Sequence, residues 1–580
     1  MRFQAIRTGN AVWKCLGAGV SAAVLTSSLL ASCSGGKADV PADERSRQVV
    51  GAEKEPASPR QDQGQSASGT GKGEQAAAIH EQPGTVFYEV FVRSFYDSNG
   101  DGIGDLQGLT EKLDYLNDGN PDTHDDLGVG GIWLMPVNPS PSYHGYDITD
   151  YRDIHPDYGT LDDMKRLVEE AHKRGIKVIM DLVVNHTSVK HPWFIEASQD
   201  KNSKYRDWYV WAEDQGIPPS GTSAAGSGTP WTELGGSHYL GTFWEGMPDL
   251  NYDNPEVRKE IEDVGKFWLK LGVDGFRIDG AKHIYENLQS DRSTATTDKN
   301  AAWWKEFRSG MSAVNKDVYL VGEVWEKSAA VIAPYLDGAF DSAFDFNLAE
   351  NIISAVKQEK DNNLGFTLER TNDFYMNKSQ GAFVDAVFLT NHDQDRVMSQ
   401  LGSDPNHAKM AAALLLTLPG NPFIYYGEEI GMLGVKPDEH IREPFAWSKD
   451  GQGKGVTTWE RADINGANQA NANVETQTGQ ENSLLSVYRT LIGWRNELPA
   501  LRDGDLKTVD TRNPSILSFM RRSAQQSVLV LHNLSGQAQK LELESADGYS
   551  FAKIIRSSDK SASFHENIVS IPAYSTVVLQ

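Results

Sequence analysis

Four polar clusters in this 580-residue chain follow apolar runs and carry side chains capable of acid–base or nucleophilic work. They are Asp181, Asn185 and His186 in DLVVNH, Arg277 and Asp279 in GFRIDGAKH, Glu323 in GEVW, and Asn391, His392 and Asp393 in FLTNHD. Carboxylates drawn together without a metal repel, so one is pushed to remain protonated while another stays ionised. Such a pair suits glycosidic bond cleavage: one carboxyl protonates the leaving oxygen and the other attacks or activates water. Arg277 precedes Asp279 by two residues, on the same strand face. A guanidinium there would hold Asp279 ionised and nucleophilic, which favours the retaining route. His186 and His392 can donate to sugar hydroxyls. Singly, each acid reads equally as a helix cap or ion-pair member; four clusters at the ends of regularly spaced strands are harder to dismiss.

Those clusters need elements that converge. TVFYEVFVRSFY (85–96) reads as a strand. Leu106, Leu109, Leu113 and Leu116 recur at helical spacing, as do Leu161, Met164, Leu167, Val168 and Ala171 before Gly175. IKVIMDLVV is almost continuously apolar, as a parallel strand covered on both faces should be. With GIWLMPV, VDGFRID, VYLVGEVW, FDSAFDFN, VDAVFLTNHD and NPFIYYGEE there are eight candidate strands, most separated by helix-like segments. The expected class is α/β, a (β/α)8 TIM barrel with its chemistry at the C-terminal strand ends. No GxGxxG turn supports a dinucleotide-binding sheet. The barrel is expected over 84–500, interrupted at about 187–254 by an irregular insertion too long for a routine loop. Its Trp193, Trp208, Trp211, Trp231 and Trp244 serve either as a small core or as stacking faces for sugar. From about Leu501 the pattern changes to short alternating strands, expected to form an antiparallel β-sandwich over 501–580.

The formal charge is −25, which argues against nucleic acid and for a neutral polymer or a cation as partner. Arg2, Arg7 and Lys14 precede CLGAGVSAAVLTSSLL, an apolar run too short for a comfortable membrane span. It ends in Leu30-Ala31-Ser32-Cys33, which resembles a bacterial lipobox, whose cleavage leaves Cys33 as a lipid-carrying N-terminus; the alternative is a plain secretory signal with an incidental cysteine. The remaining cysteine, Cys15, falls within the signal, so no disulfide or cysteine metal site is expected in the mature chain. Residues 34–83 have the composition of a flexible tether. An exported monomer, attached to a membrane by its lipid alone, is the expectation. The sequon Asn533-Leu534-Ser535 reads as accidental in such a protein.

The four clusters resemble, in order and spacing, the four conserved regions of the α-amylase family of glycoside hydrolases. HGYDITDY (144–151) is similar to its tyrosine-bearing segment, and MPDLN (247–251) to a further signature. The resemblance spans 85–580 and implies Asp279 as nucleophile, Glu323 as general acid and then base, and Asp393 as the group that binds ring hydroxyls and helps stabilise the transition state. It implies Arg277, His186, His392 and Asp181 around the reacting glucosyl unit, Tyr146 stacked beneath it, and Lys282, His283 and Trp325 toward the leaving group. Gly280 after the nucleophile resembles α-1,4-acting amylases, where oligo-1,6-glucosidases usually carry valine. The DLVVNHTS run resembles the latter, and MPDLN suits an intermediate group. An amylase acting on starch-derived glucans, with some transfer to sugar acceptors, is the leading expectation. The rivals are an α-glucosidase or trehalose-forming transglycosidase, and a glucan-binding lipoprotein that has lost its chemistry. Asn185, with the His283 carbonyl, is either a second calcium site or a backbone hydrogen-bonding residue.

In YDSNGDGIGDL (96–106), Asp97, Asn99, Asp101 and Asp105 alternate with small residues, as in the first positions of an EF-hand loop. Position 12 would be Gly108 rather than a bidentate glutamate, and a strand is expected to enter the loop, so a calcium sensor is excluded. The same motif follows the first barrel strand in relatives of the oligo-1,6-glucosidases. The expectation is one structural Ca2+ held by Asp97, Asn99, Asp101, the Ile103 carbonyl and Asp105; the bland reading is a solvated acidic turn.

Overall fold

The computed structural model describes residues 84–580 except 224, 226–227, 287–293 and 544–549. The signal segment, Cys33 and the 34–83 tether lie outside the described residues.

Eight parallel strands form the central sheet: β1 (Phe87–Val90), β2 (Gly131–Leu134), β3 (Lys177–Leu182), β4 (Gly275–Ile278), β5 (Tyr319–Gly322), β6 (Ser342–Ala343), β7 (Ala386–Phe388) and β8 (Asn421–Tyr425). Neighbours pair in the order β6-β5-β4-β3-β2-β1-β8-β7. A parallel bridge from Phe344, just past β6, to Ala386 on β7 closes the ring. The chain is therefore a (β/α)8 barrel. Its interior is filled rather than hollow, as this architecture requires. Phe87 stacks on Phe423 at 4.8 Å and on Tyr319 at 5.3 Å, with Trp133, Ile179, Val321, Phe344 and Phe388 buried in the same cluster. Gly275 permits β4 to pass close to β5, since a Cβ there would meet the Tyr319 carbonyl at 2.0 Å. Side chains alternate along a strand, so Phe87 in the barrel floor puts Glu89 one layer nearer the mouth on the same inner face of β1.

The run 85–96 is not one strand. β1 stops at Val90, and Val92–Phe95 form a single helical turn that precedes the acidic loop, so a helical turn rather than a strand enters it. Arg93 explains the bend: it is 8% exposed, pairs with Asp157 at 2.6 Å and lies over the Tyr158 ring. Phe95 then packs among Phe445 and Trp447, so the run stays apolar for packing rather than for strand pairing. The leucine-spaced segment splits at Lys112 into two helices, 106–111 and 113–116, with all four leucines fully buried. Helix Leu161–Lys173 forms as its spacing predicts, started by a Thr160/Asp163 capping box.

Between β3 and helix Pro255–Leu271 lies the insertion, which contains helix Pro192–Gln199 and a hairpin, Trp231–Leu234 with Ser237–Leu240. The bridge His186–Asp249 ties it back to the barrel mouth, and Tyr209–Leu250 pairs two of its own segments. Trp208, Trp211 and Trp231 are its core, with the Arg206 guanidinium 3.6 Å from the Trp211 ring centre. Trp244 differs: it is 49% exposed.

The C-terminal region is a sandwich of a five-stranded and a three-stranded antiparallel sheet. Ile516, Met520, Leu529, Leu531, Val569 and Val577 fill the space between them. Arg521 and His532 reach from it to Thr417 of the barrel. Asn533 is fully buried and its amide donates to the carbonyls of Gln537, Ile571 and Pro572, which leaves no nitrogen for a glycan.

Candidate active site

Every polar cluster predicted from the sequence sits at the C-terminal end of a barrel strand, and Arg277 on β4 joins three of them. Its Nη1 donates to Asp181 Oδ1 at 2.8 Å and to Asp279 Oδ1 at 2.6 Å, and its Nη2 pairs with Glu323 Oε2 at 2.9 Å. Register explains the convergence, since Arg277 lies beside Asp181 on β3 and Val321 on β5. The Gly280 N–H also donates to Glu323 Oε2 at 3.0 Å. A single planar guanidinium thus holds two candidate catalytic carboxyls side by side.

Electrostatics in this buried group are contested. Burial pushes the carboxyls of Asp279 and Glu323 above their ordinary range, and Arg277 opposes the shift in both. Asp181, wholly enclosed, is pushed by burial up to about 7 against the same guanidinium. The expectation that Arg277 alone would dictate an ionised Asp279 is therefore only half of the balance. Asp393 goes the other way. Burial would raise it, but His392, Arg442 and Arg277 together drive its carboxyl well below the usual range. His392, despite its burial, is pushed up to about 10 by Asp393 and Glu89. At His186 burial outweighs the Tyr146 carbonyl and the charge of Asp147, and depresses it to about 4. Its Nε2 meets the Tyr146 carbonyl at 3.2 Å.

A cleft of about 530 Å³ opens above these groups. Asp279, Glu323, Asp393, Tyr146, His186, Lys282, His283 and Trp325 all line it. Asp181, Arg277 and His392, expected around the reacting sugar, lie one layer beneath, at 0–1% side-chain exposure. Tyr146 connects the layers: its hydroxyl donates to Asp181 Oδ2 at 3.1 Å and meets His392 Nε2 at 2.6 Å, and its ring lies parallel to the imidazole. On one rim Trp325 is 44% exposed and stacks on Phe346 at 4.4 Å. The insertion supplies Phe243, which touches both His186 and His283, and the exposed Trp244.

Several participants escaped the sequence reading. Arg442 donates to Asp393 Oδ1 at 2.9 Å, to Asp438 Oδ2 at 3.0 Å and, through Nε, to the His392 carbonyl at 3.0 Å. It comes from an irregular segment whose sequence carries no periodic signal. His144 and Asp438 also line the cleft. Glu89 lies beneath it, with Oε1 2.5 Å from His392 Nδ1. Its signal was present: a lone acid at an inward position of an otherwise apolar strand.

The metal expectations fare differently. Among the described residues no three His, Cys, Asp or Glu side chains gather as a metal cage. In the 97–105 loop, Asp97 accepts from the N–H groups of Asn99, Gly100 and Gly102, and Asp101 accepts from that of Ile103. Asp105 is engaged by neighbouring donors. It caps helix 106–111 through the Gly108 N–H and takes the Ser98 N–H and hydroxyl. At the second place, Asn185 donates to Asp249 Oδ1 at 3.2 Å, a side-chain rather than backbone partner, and the His283 ring pairs with Glu286.

A closed parallel barrel with acids at its strand ends, a bridging arginine and an inserted subdomain over the mouth defines a carboxylate-based glycosidase of the TIM-barrel class. Comparison with known proteins agrees. Residues 89–504 match the model for the alpha amylase catalytic domain, and residues 516–578 that for the alpha-amylase SusG C-terminal domain. Alpha-amylase 3 of Dictyoglomus thermophilum is 41% identical over 501 residues, covering 85% of this chain and 93% of that protein. Oligo-1,6-glucosidase of Parageobacillus thermoglucosidasius is 33% identical, covering 78% and 90%. The crystal structure of alpha-amylase from H. orenii superposes with a TM-score of 0.79 at 48% identity, covering 86% of this chain and 99% of that one. The chain belongs to the α-amylase family of glycoside hydrolases.

Proposed function

We propose that the protein hydrolyses internal α-1,4-glucosidic bonds of starch-derived glucans by double displacement. The double displacement rests on Arg277, which holds Asp279 and Glu323 on one guanidinium. Retention needs two carboxyls close together, ~5–5.5 Å, where inversion leaves ~6.5–9.5 Å for a water. Asp279 attacks the anomeric carbon while Glu323 protonates the departing oxygen; Glu323 then takes a proton from water, which displaces Asp279. Asp393, kept ionised by His392 and Arg442, would grip the ring hydroxyls.

The α-1,4 preference is supported by Gly280. Its φ is +49°, a conformation that the valine of oligo-1,6-glucosidases would adopt only with strain, and a Cβ there would press on the Phe243 ring at 3.0 Å. A two-sided cleft with Trp244 and Trp325 exposed suits a chain passing through it. The second reading, a glucosidase or transglycosidase, draws on the oligo-1,6-glucosidase relatives and on TreS of Mycolicibacterium smegmatis, named trehalose synthase/amylase and 33% identical. The binder reading is disfavoured because Asp279, Glu323 and Asp393 all line the cleft. Incubating residues 84–580 with soluble starch discriminates: mixed short maltooligosaccharides are expected, glucose alone would favour the glucosidase, and no turnover would favour the binder. NMR of the first product should show the α-anomer; the β-anomer would refute retention.

One structural Ca2+ at the 97–105 loop is part of the same reading. The donors are all hard oxygens, as calcium requires, and Asp97, Asn99 and Asp101 line one hollow beside Gly453–Gly455. The ion would brace the first strand–helix connection and take no part in bond cleavage. Chelation should lower the thermal midpoint; an unchanged midpoint with no metal on elemental analysis would remove it. Export with lipid on Cys33 is likewise proposed from the lipobox alone, and Cys33→Ser should abolish radiolabelled fatty-acid incorporation.

A further inference from the structure

We propose that Glu89 is a positioning residue that keeps His392 as a doubly protonated imidazolium, and through it fixes the proton pattern of the whole cleft floor. Glu89 is 1% exposed, on the inner face of β1, and neither the family resemblance nor the cleft lining assigns it a role.

Valence governs the protonation of His392. His392 is fully buried between two carboxylates, with Nδ1 2.5 Å from Glu89 Oε1 and Nε2 3.1 Å from Asp393 Oδ2. A neutral imidazole has one N–H and one bare lone pair. Opposite two ionised carboxylates, either tautomer would leave a bare nitrogen facing an acceptor across hydrogen-bond distance. An imidazolium satisfies both sides. Tyr146 independently fixes the Nε2 half of that pattern. Its hydroxyl is 2.6 Å from His392 Nε2 and also donates to Asp181, so it can only accept from the ring. Nε2 therefore carries hydrogen, shared between Tyr146 and Asp393. Burial raises the Glu89 carboxyl, while the charges of His392 and Arg277 oppose that shift; with Glu89 ionised, the hydrogen between it and Nδ1 lies on the ring.

The chain of contacts then runs Glu89, His392, Tyr146, Asp181, Arg277 and on to Asp279 and Glu323. Other groups face it. Arg277 and Asp393 act on Glu89; Tyr425 and Glu428 lie near it on β8 and in the turn beyond. Asp181 and Asp279 sense the charge on His392, the Trp133 ring meets it edge-on at 5.6 Å, and Arg442 binds its carbonyl. With Glu89 ionised, His392 is a third cation beside Arg277 and Arg442. With a neutral residue there, the Nδ1 proton loses its counter-charge, Nε2 can give up its hydrogen, and the Tyr146 hydroxyl turns from Asp181 to the ring.

The inference concerns an α-amylase-family hydrolase of any bond preference, and its first test needs no turnover. In the full chain labelled with 15N-histidine, the His392 signal is assigned by its loss in His392→Gln. Both ring nitrogens should be protonated at pH 8.5, while a neutral ring in the wild type at that pH overturns the proposal. Glu89→Gln keeps the shape and removes the charge. It should bring His392 deprotonation down by one pH unit or more, and lower kcat at pH 8.5 at least tenfold more than at pH 5.5. Glu89→Asp should recover most of that difference. An unchanged imidazolium in Glu89→Gln, with an equal fractional loss at both pH values, would mean that Glu89 is merely structural.

Discussion

Arg442 offers the sharpest test of how the cleft holds Asp393. Its guanidinium is 3% exposed and touches Asp393, Asp438 and the His392 carbonyl at once. Replacing it by methionine keeps most of the volume and deletes the charge. With the charge centres about 4 Å apart and an effective dielectric of about 20, the lost attraction is about 4 kcal/mol. That is less than decisive for ionisation, because His392 Nε2 stays 3.1 Å from Asp393 and Arg277 still contributes. Asp393 therefore stays charged at neutral pH but loses one charge-assisted hydrogen bond, about 1.5–3 kcal/mol of positioning. If that positioning is realised in the transition state, kcat/KM falls roughly ten- to a hundredfold, mostly in kcat. The acid limb should move little. Arg442→Lys, which cannot span three acceptors, should recover only part of the loss. The assay is kcat and KM on a defined maltooligosaccharide from pH 4 to 9. Activity within twofold of wild type, or a loss confined to low pH, would show that Arg442 does not position Asp393.

Three further outcomes follow from the same geometry. Asp279→Asn should abolish cleavage while glucan binding stays measurable by affinity electrophoresis; near-normal rates would sink the nucleophile assignment. His186 titrates near 4 in the fold against ~6.5 unfolded, so the unfolded chain binds the proton first. Its contribution is complete above about pH 6.5 and is lost as the pH falls through 4, roughly 3 kcal/mol in all. His186→Gln should flatten that part of the stability profile in denaturant titrations, and an unchanged slope between pH 6.5 and 4 counts against it. Trp244→Ala should raise KM for long maltooligosaccharides roughly two- to tenfold through lost stacking of about 0.5–1.5 kcal/mol, with little change for short ones; equal effects on both would place it outside the substrate path.

The barrel and the identity of its acids were legible in the apolar runs and the polar residues that follow them. Continuous apolar runs such as IKVIMDLVV have to be covered on both faces, and polar residues directly after such runs have to lie at one end of the sheet. Asp181, Asp279, Glu323 and Asp393 were legible for that reason. So was the solvent-facing alternation of the C-terminal strands. The bend after Val90 was not, because Phe91, Val92 and Phe95 continue the apolar character of the strand, and Arg93, anchored by Asp157 and Tyr158, turns the chain there. Which tryptophans of the insertion are core and which face the cleft was equally hidden: Trp211 and Trp244 are the same residue type, and only the packing of Arg206 and the hairpin separates them.

Tertiary structure alone decided the electrostatics. Spacing puts Arg277 beside Asp279, but it takes the register of β3, β4 and β5 to place Asp181 and Glu323 on the same guanidinium. Arg442 reaches Asp393 across 49 residues of sequence, and Glu89 reaches His392 across 303. No periodicity records such pairs, because a charge interaction depends on through-space distance and on the exclusion of water, and both exist only once the barrel has closed.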